Sequence, residues 1–438
     1  MDKKLVKSSF YNIFVQKENG FAIYNTRTGK LVRCFDKNAS IVEGYLEQKC
    51  VEWVKDNQYI ESMYENGILV DYELDEILEM EQKEESDQFG DCLRLFLLPT
   101  EQCNFRCVYC YEKFERGRMS EATQDAIIQY IEDNIHKYSG LVVSWFGGEP
   151  MEAMDIIENL SVKMIDICKK KKKAYNAGIT TNGYNLTIEN FRKLKKLHIT
   201  EYQVTIDGLA EVHDAQRVKL DGTPTFNAII NNLLDIKSRV KSSAITIVLR
   251  TNFSKPMLDH LDEFCQLLNQ HFVSDKRFKF FWQLVGDCGY VKDENVRDIF
   301  GEIKDYKWLI ENYTEWFVND LMQSLYGPDG GVCYALKKNQ FLVDSAGGIR
   351  KCTCALDNNE NYFGIIGENF DEQKHEKWLK TRTITKDSKC YLCKKRPICH
   401  NRQCYKAQNC LVNFLYMDKV LEVMADKKQY YEVIDGGV

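Results

Sequence analysis

No stretch of the 438 residues approaches the run of about eighteen apolar residues that marks a membrane-spanning helix. The opening Met-Asp-Lys-Lys lacks the apolar centre of a secretion signal, so a cytoplasmic location is expected. A basic excess is missing too: the formal charge is -6, which argues against nucleic acid as a partner, since such binders are normally basic. The one basic run, Lys169 to Lys173, follows the apolar-periodic stretch Ile156 to Ile167 and reads as a solvated helix end favoured by the helix dipole. Neither nucleic acid nor membrane is therefore an expected partner. What the chain has in quantity is cysteine, 17 residues, and in a cytoplasmic protein such thiols point to metal rather than to disulfides. Cys34, Cys50, Cys92, Cys168, Cys265 and Cys288 are scattered and read as small buried hydrophobes. The others form two fields.

The first field is Thr100-Glu-Gln-Cys103-Asn-Phe-Arg-Cys107-Val-Tyr-Cys110-Tyr-Glu112. Three thiolates at this spacing can hold a four-iron cluster and leave one iron without a protein ligand. A closed zinc site is the alternative, but it normally needs a fourth Cys or His at short spacing, and none follows Cys110 closely. With Asn104 after the first cysteine and Tyr109 before the third, the stretch resembles the radical S-adenosylmethionine (SAM) enzymes. That resemblance implies a [4Fe-4S] cluster on Cys103, Cys107 and Cys110. Once reduced, the cluster donates an electron to SAM, which splits into methionine and a 5'-deoxyadenosyl radical able to take a hydrogen atom from a substrate.

Four segments are expected along the chain. Residues 1–71 begin with a hairpin signal, Tyr11 to Val15 and Phe21 to Tyr24, followed by Lys30 to Cys34. Helical patterning then places Ile41, Tyr45 and Leu46 on one face and Ile60, Met63 and Tyr64 on another, which fits a winged-helix-like domain. Residues 72–88 carry eight acids against Lys83 and read as a linker kept in water by its charge. Residues 89–326 repeat strand, loop and helix, the pattern of a parallel α/β sheet. The expected strands are Leu93 to Leu98, Leu141 to Phe146, Gly178 to Thr181, Tyr202 to Ile206, Ile245 to Leu249 and Phe278 to Val285, short runs of the kind buried on both faces. Six such strands make a partial (β/α)6 radical SAM barrel with its chemistry at their carboxyl ends. Residues 327–438 hold the second cysteine field and a C-terminal helix.

The motifs fall at those carboxyl ends. The second strand runs into Trp145-Phe-Gly-Gly-Glu-Pro150, where glycines admit close backbone approach to a ligand. The loop resembles the family's Gly-Gly-Glu-Pro motif, which implies that Gly147, Gly148 and Glu149 meet the methionyl amine of SAM. The family resemblance also makes Thr181 and Asn182, at the third tip, and Thr205, at the fourth, candidate SAM contacts; by themselves the tips are ordinary strand-to-helix turns. His213-Asp-Ala-Gln-Arg217 and Gly222-Thr-Pro-Thr-Phe226 resemble maturase landmarks, but a His-Asp pair is more often a hydrogen-bonded turn, and His213 is not assigned a catalytic role. Arg250 either pairs with a carboxylate of SAM or substrate or forms a salt bridge to an acid of the barrel.

In the second field, Gly347 precedes Cys352 by four intervening residues, and Cys390-x2-Cys393-x5-Cys399 leads to Cys404 and Cys410. Together with Cys333 these elements resemble the SPASM extension of radical SAM maturases, which implies two auxiliary four-iron clusters and three [4Fe-4S] clusters in all. The Cys399 to Cys404 and Cys404 to Cys410 gaps depart from the family pattern, so individual ligand assignments stay open. If Cys354 also binds, eight thiolates serve the auxiliary clusters; if it does not, one iron is open. A pair of zinc ribbons is the alternative for this field.

The resemblance as a whole implies an iron-sulfur oxidoreductase that matures a ribosomally made precursor peptide by an intrapeptide crosslink, a thioether first and a carbon-carbon bond second. It implies a leader sequence held by the amino-terminal domain as an added strand, and an electron donor such as flavodoxin or ferredoxin. The alternatives are an anaerobic sulfatase-maturating enzyme that forms formylglycine, and a non-enzymatic iron-sulfur electron carrier.

Overall fold

The computed structural model describes residues 4–253, 255–284, 315–328, 331–380, 384–399 and 413–434. Contacts divide the chain into two compact units, one drawn from Met1–Gln88, Ile303–Cys333 and Arg382–Val438, the other from Phe89–Glu302 and Tyr334–Thr381.

In the first unit, Asn12–Lys17 and Gly20–Asn25 form the expected antiparallel hairpin, continued by Lys30–Phe35, with Glu432–Val433 added in parallel at the edge. Gly20 adopts φ 106°, and a Cβ there would lie 2.2 Å from the Cys34 carbonyl oxygen, so the turn requires glycine. A second sheet places Leu5–Ser8 between Val51–Glu52 and Leu69–Asp71. Val6, Ile23, Val32, Val42, Ile60 and Met63 fill the core beneath helices Asp36–Leu46 and Gln58–Glu65. The first helix corrects its expected face: Val42 is buried with Ala39, while Ile41, one position away, is exposed.

Residues 76–88 form a helix, and its charge does not keep it in water. Glu76 accepts hydrogen bonds from the Ser9 hydroxyl and the Phe10 amide, both at 2.7 Å. Glu84 holds Arg396 through Nε at 3.2 Å and Nη2 at 2.6 Å, with both residues buried. A charge leaves water when a partner satisfies it, and each of these acids has one.

The second unit is an α/β fold on a mostly parallel sheet. In spatial order its strands are Phe278–Leu284, Thr246–Phe253, Ile199–Thr205, Ala174–Thr181, Gly140–Trp145 and Leu93–Leu97, every neighbouring pair parallel. Each lies where a strand is expected, several running longer; Val285, the expected end of the last, lies outside the described residues. Gln340–Val343 then pairs in parallel with Leu93–Leu97, and Gly348–Arg350, Gly364–Ile365 and Asn369–Phe370 continue the sheet antiparallel.

Burial alternates along these strands rather than covering both faces. Leu95, Leu97, Val143, Trp145, Ile179, Val204 and Leu249 are buried, whereas Phe96, Ser144, Thr180, Gln203 and Arg250 on the other face are partly accessible. Helices cover the apolar face. Glu121–Asn134 starts at Ser120, whose hydroxyl accepts from the Thr123 amide, and buries Ile127 and Ile131; Ile135 is buried in the turn that follows. Met154–Lys170 ends in the basic run, as its dipole favours. Of the scattered cysteines, Cys34, Cys168 and Cys265 are buried, Cys50 is exposed, Cys92 is half-buried, and Cys288 lies outside the described residues. Among the described residues no helix is long and apolar enough to cross a membrane.

Candidate active site

The cysteine loop leaves the strand Leu93–Leu97 and is braced from two sides. On one side Phe105–Cys107 forms a short antiparallel ladder with Arg217–Lys219, which sets Cys107 opposite Arg217. The ladder is extended by the Val108 amide to the Gln216 carbonyl and the Leu220 amide to the Asn104 carbonyl, both 2.9 Å. On the other side the Gly-Gly-Glu loop donates from Gly148 to the Thr100 carbonyl at 3.3 Å and from Glu149 to the Gln102 carbonyl at 2.9 Å. A Cβ on Gly147 would lie 2.4 Å from the Thr100 oxygen, and one on Gly148 2.4 Å from the Glu101 oxygen. The glycines are thus needed for close approach to the cysteine loop itself.

Three thiols and two glycines meet in one cavity of about 150 Å³. Cys103, Cys107, Cys110, Gly147 and Gly148 line it, with Thr181, Asn182 and Thr205 from the neighbouring strand tips. Five of the seven expected SAM contacts are therefore brought to the cysteines, and two are not. Glu149 is fully buried and does not line the cavity; its oxygens accept from Met151 N at 3.0 Å, Thr181 Oγ1 at 2.8 Å and Asn182 N at 2.7 Å. Burial pushes its carboxyl up to about 7 despite these three hydrogen bonds. Arg250 also stays off the lining: its Nε donates to Asn252 Oδ1 at 3.0 Å, its guanidinium lies over the Phe281 ring, and its charge favours the ionised form of Asp207.

Burial pushes the Cys103 and Cys110 thiols up to about 12 and raises Cys107 as well, so without metal all three hold their protons at neutral pH. Among the described residues no three His, Cys, Asp or Glu side chains close around a single metal ion, so the three thiols are spaced round a cavity rather than on one point. Three thiols around a shared cavity, with no fourth Cys or His among the described residues that line it, fit a cluster that keeps one iron open.

Sequence reasoning missed a polar cluster behind these thiols. Tyr109 donates its hydroxyl to Asp207, and that hydroxyl also accepts from Arg217 Nη1 at 2.7 Å and Asn252 Nδ2 at 3.2 Å. Arg217 lies 3.6 Å from Asp207 as an ion pair and reaches the cavity wall. Tyr109 and Arg217 stood in motifs already noted, but nothing local in the chain indicates that they meet. His213 beside them is fully buried, accepts from the Asp207 amide at 3.2 Å, and is held neutral by burial and by Arg217. Asp214 accepts from Thr225 and Phe226 and anchors the helix Phe226–Arg239, so the two maturase-like landmarks are joined by structure. Glu112 is the other missed residue: it lines the cavity, and burial pushes its carboxyl up to about 8.

The second cysteine field is divided between the units. Cys352 and Cys354 belong to the second, where Asn361 accepts from the Cys352 amide at 2.9 Å and Tyr334 Oη lies 4.0 Å from Cys352 Sγ. Cys333, Cys390, Cys393 and Cys399 belong to the first, the last three on a run of turns. Cys404 and Cys410 lie outside the described residues.

Fold and cavity together define an α/β protein with three thiols gathered at the carboxyl ends of parallel strands. Residues 97–265 match the Radical SAM superfamily, and that match implies SAM and a [4Fe-4S] cluster for this site. An uncharacterized protein of Methanocaldococcus jannaschii is 29% identical over 263 residues, which span 59% of this chain and 84% of that one. The Fe-coproporphyrin III synthase of Methanosarcina barkeri is 28% identical over 122 residues, only 27% of this chain and 28% of the synthase. Among solved structures, native anSMEcpe with bound AdoMet and Kp18Cys peptide superposes with a TM-score of 0.59 at 17% identity, covering 76% of this chain and 96% of that one.

Proposed function

We propose that this enzyme matures a peptide, using SAM and the cluster held by Cys103, Cys107 and Cys110 to remove a hydrogen atom and close an intrapeptide crosslink, a thioether first. The observation that carries this is the single cavity in which those thiols meet Gly147, Gly148, Thr181, Asn182 and Thr205. Native anSMEcpe, which shares the fold, holds both AdoMet and a peptide, which supports a peptide as the substrate class.

When bound, the cluster and SAM supply the one-electron chemistry; the chain's own residues position and shield. Arg217, Tyr109 and Asp207 lock the loop that carries Cys107 and Cys110. Glu149 ties the second and third strand tips together through Thr181 and Asn182, which keeps the cavity wall in register. Asn182 Nδ2 donates to Asn104 Oδ1 at 2.7 Å and joins that wall to the cysteine loop.

The remaining roles are part of the same proposal. Cys333, Cys352, Cys354, Cys390, Cys393, Cys399, Cys404 and Cys410 supply two auxiliary clusters of a SPASM domain. Residues 1–71 hold the precursor's leader as an added strand at a sheet edge, and a flavodoxin or ferredoxin supplies the electron. The experiment is anaerobic: reconstituted protein, SAM, a reductant and the short peptide encoded beside the gene. Formation of 5'-deoxyadenosine together with a peptide lighter by two hydrogens is the expected result. Cleavage of SAM with every neighbouring peptide left unchanged would overturn the substrate class.

A further inference from the structure

We propose that the Phe114 ring closes the outer wall of the thiol cavity against water and small solutes; this rests on the cavity being the cluster site. Phe114 lines the cavity together with Cys103, Cys107 and Cys110. Its backbone nevertheless runs along the surface. Lys113 and Glu115 on either side are exposed, and so is the 2.8 Å hydrogen bond that Gln102 Nε2 donates to the Phe114 carbonyl. The residue therefore spans the wall from solvent to interior, with its ring on the inner side.

Phe114 adopts φ 58°, in the left-handed region that bulky side chains avoid and glycine fills without strain. Such a conformation persists only where the surroundings hold it, and it gathers at functional sites. Two residues near Cys103 hold this one. Gln102 Nε2 donates to the Arg116 carbonyl at 3.1 Å as well as to that of Phe114, which fixes the loop on both sides of the turn. Arg106 lays its guanidinium 3.9 Å from the ring centroid, an attractive contact, while its Nη1 donates to the Cys103 carbonyl at 2.8 Å and the Phe105 carbonyl at 2.7 Å. The ring is thus tied to the backbone that carries Cys103. A phenyl group kept where its backbone disfavours it points to a use for the ring itself. Excluding water protects reactive intermediates from side reactions, and an apolar ring covers a cavity without offering a proton or a hydrogen bond.

The test separates ring from backbone with Phe114→Ala and Phe114→Gly. Both remove the ring, and only glycine also relieves the left-handed strain. The full, cluster-loaded chain is held with the Fe(II) chelator ferrozine under anaerobic conditions. Released iron is counted above that from a chain with Cys103, Cys107 and Cys110 all changed to Ala, which subtracts the second cysteine field. The expected result is faster release of site iron in both variants by a similar factor, although F114G unfolds at a higher denaturant midpoint than F114A; Phe114→Tyr, which keeps the ring, should retain the wild-type rate. Release at the wild-type rate in F114A and F114G overturns the proposal. So does release that follows stability, fast in F114A and slow in F114G, since the residue would then serve only the loop's fold. Should the variants fail to load iron, the cluster-free chains decide: N-ethylmaleimide labelling of Cys103, Cys107 and Cys110 is read by peptide mass spectrometry, with exposed Cys50 as the internal reference. Labelling of the three thiols should then speed up in both variants while Cys50 stays unchanged, and equal labelling in wild type and variants overturns the proposal. A wild type that holds no more iron than the triple Ala chain would instead defeat the reading of the cavity.

Discussion

Arg217 lies directly across an antiparallel ladder from Cys107 and donates to the hydroxyl of Tyr109, so a residue more than a hundred positions downstream holds the cysteine loop in shape. Replacing it with Met would leave Asp207 buried without its counter-ion. Breaking a buried pair from one side costs about 3–5 kcal/mol. Arg217→Met is expected to lower the denaturation midpoint and the iron retained at the site, while Arg217→Lys restores charge but not the reach to both Tyr109 and Asp207. Iron content and chemical denaturation of the two variants check this.

The three cysteines of the loop make a separate test. Cys103→Ala, Cys107→Ala and Cys110→Ala together should abolish 5'-deoxyadenosine formation while the second cysteine field still binds iron, because the two fields are separate in sequence. Cleavage at the wild-type rate would contradict the assignment of the cavity.

Gly148→Ala tests the close approach. Its Cβ would sit 2.4 Å from one backbone oxygen and 2.5 Å from another, and neither can swing away as a side chain could. Overpacking of this kind costs about 1–3 kcal/mol, and the displaced loop should lose site iron in proportion. Unchanged iron content and stability would count against this account of the motif.

Glu149 predicts a pH effect. Its folded carboxyl is raised to about 7, so the folded chain holds a proton that the unfolded chain releases at lower pH. That contribution to stability is fully present below the ordinary glutamate range and is lost as pH rises through about 7. Cluster-free wild type should therefore lose stability between pH ~5 and ~8. Glu149→Gln should lose less over the same interval, as read from denaturant midpoints. Identical pH profiles would contradict the buried carboxylate as the source.

Arg396 and Glu84 predict that the amino-terminal segment cannot be removed cleanly. Their buried pair joins the helix Glu76–Gln88 to the turns that carry Cys390, Cys393 and Cys399, and Lys394 Nζ reaches the Asn12 carbonyl at 2.9 Å. Deleting residues 1–88 should lower the iron proposed for the second field. Arg396→Met alone should cost about 3–5 kcal/mol. Wild-type iron content in the deletion would refute the coupling.

By itself the sequence determined the six parallel strands, since short apolar runs alternating with amphipathic helices have few other ways to bury their faces. It also determined which residues to expect at the site: the three cysteines from their spacing, and the glycines from a family resemblance. Tertiary structure alone decided which polar groups meet. Glu76 finds Ser9 across 67 positions, Tyr109 finds Arg217 across 108, and Arg396 finds Glu84 across 312. No local period links residues so far apart, so the acidic stretch reads as solvated until its partners are seen. The same holds for Glu149 and Glu112. In the chain both are glutamates beside a motif; only packing turns one into a brace behind the cavity and shields the carboxylate oxygens of the other, which lines that cavity, with no hydrogen-bond partner among the described residues.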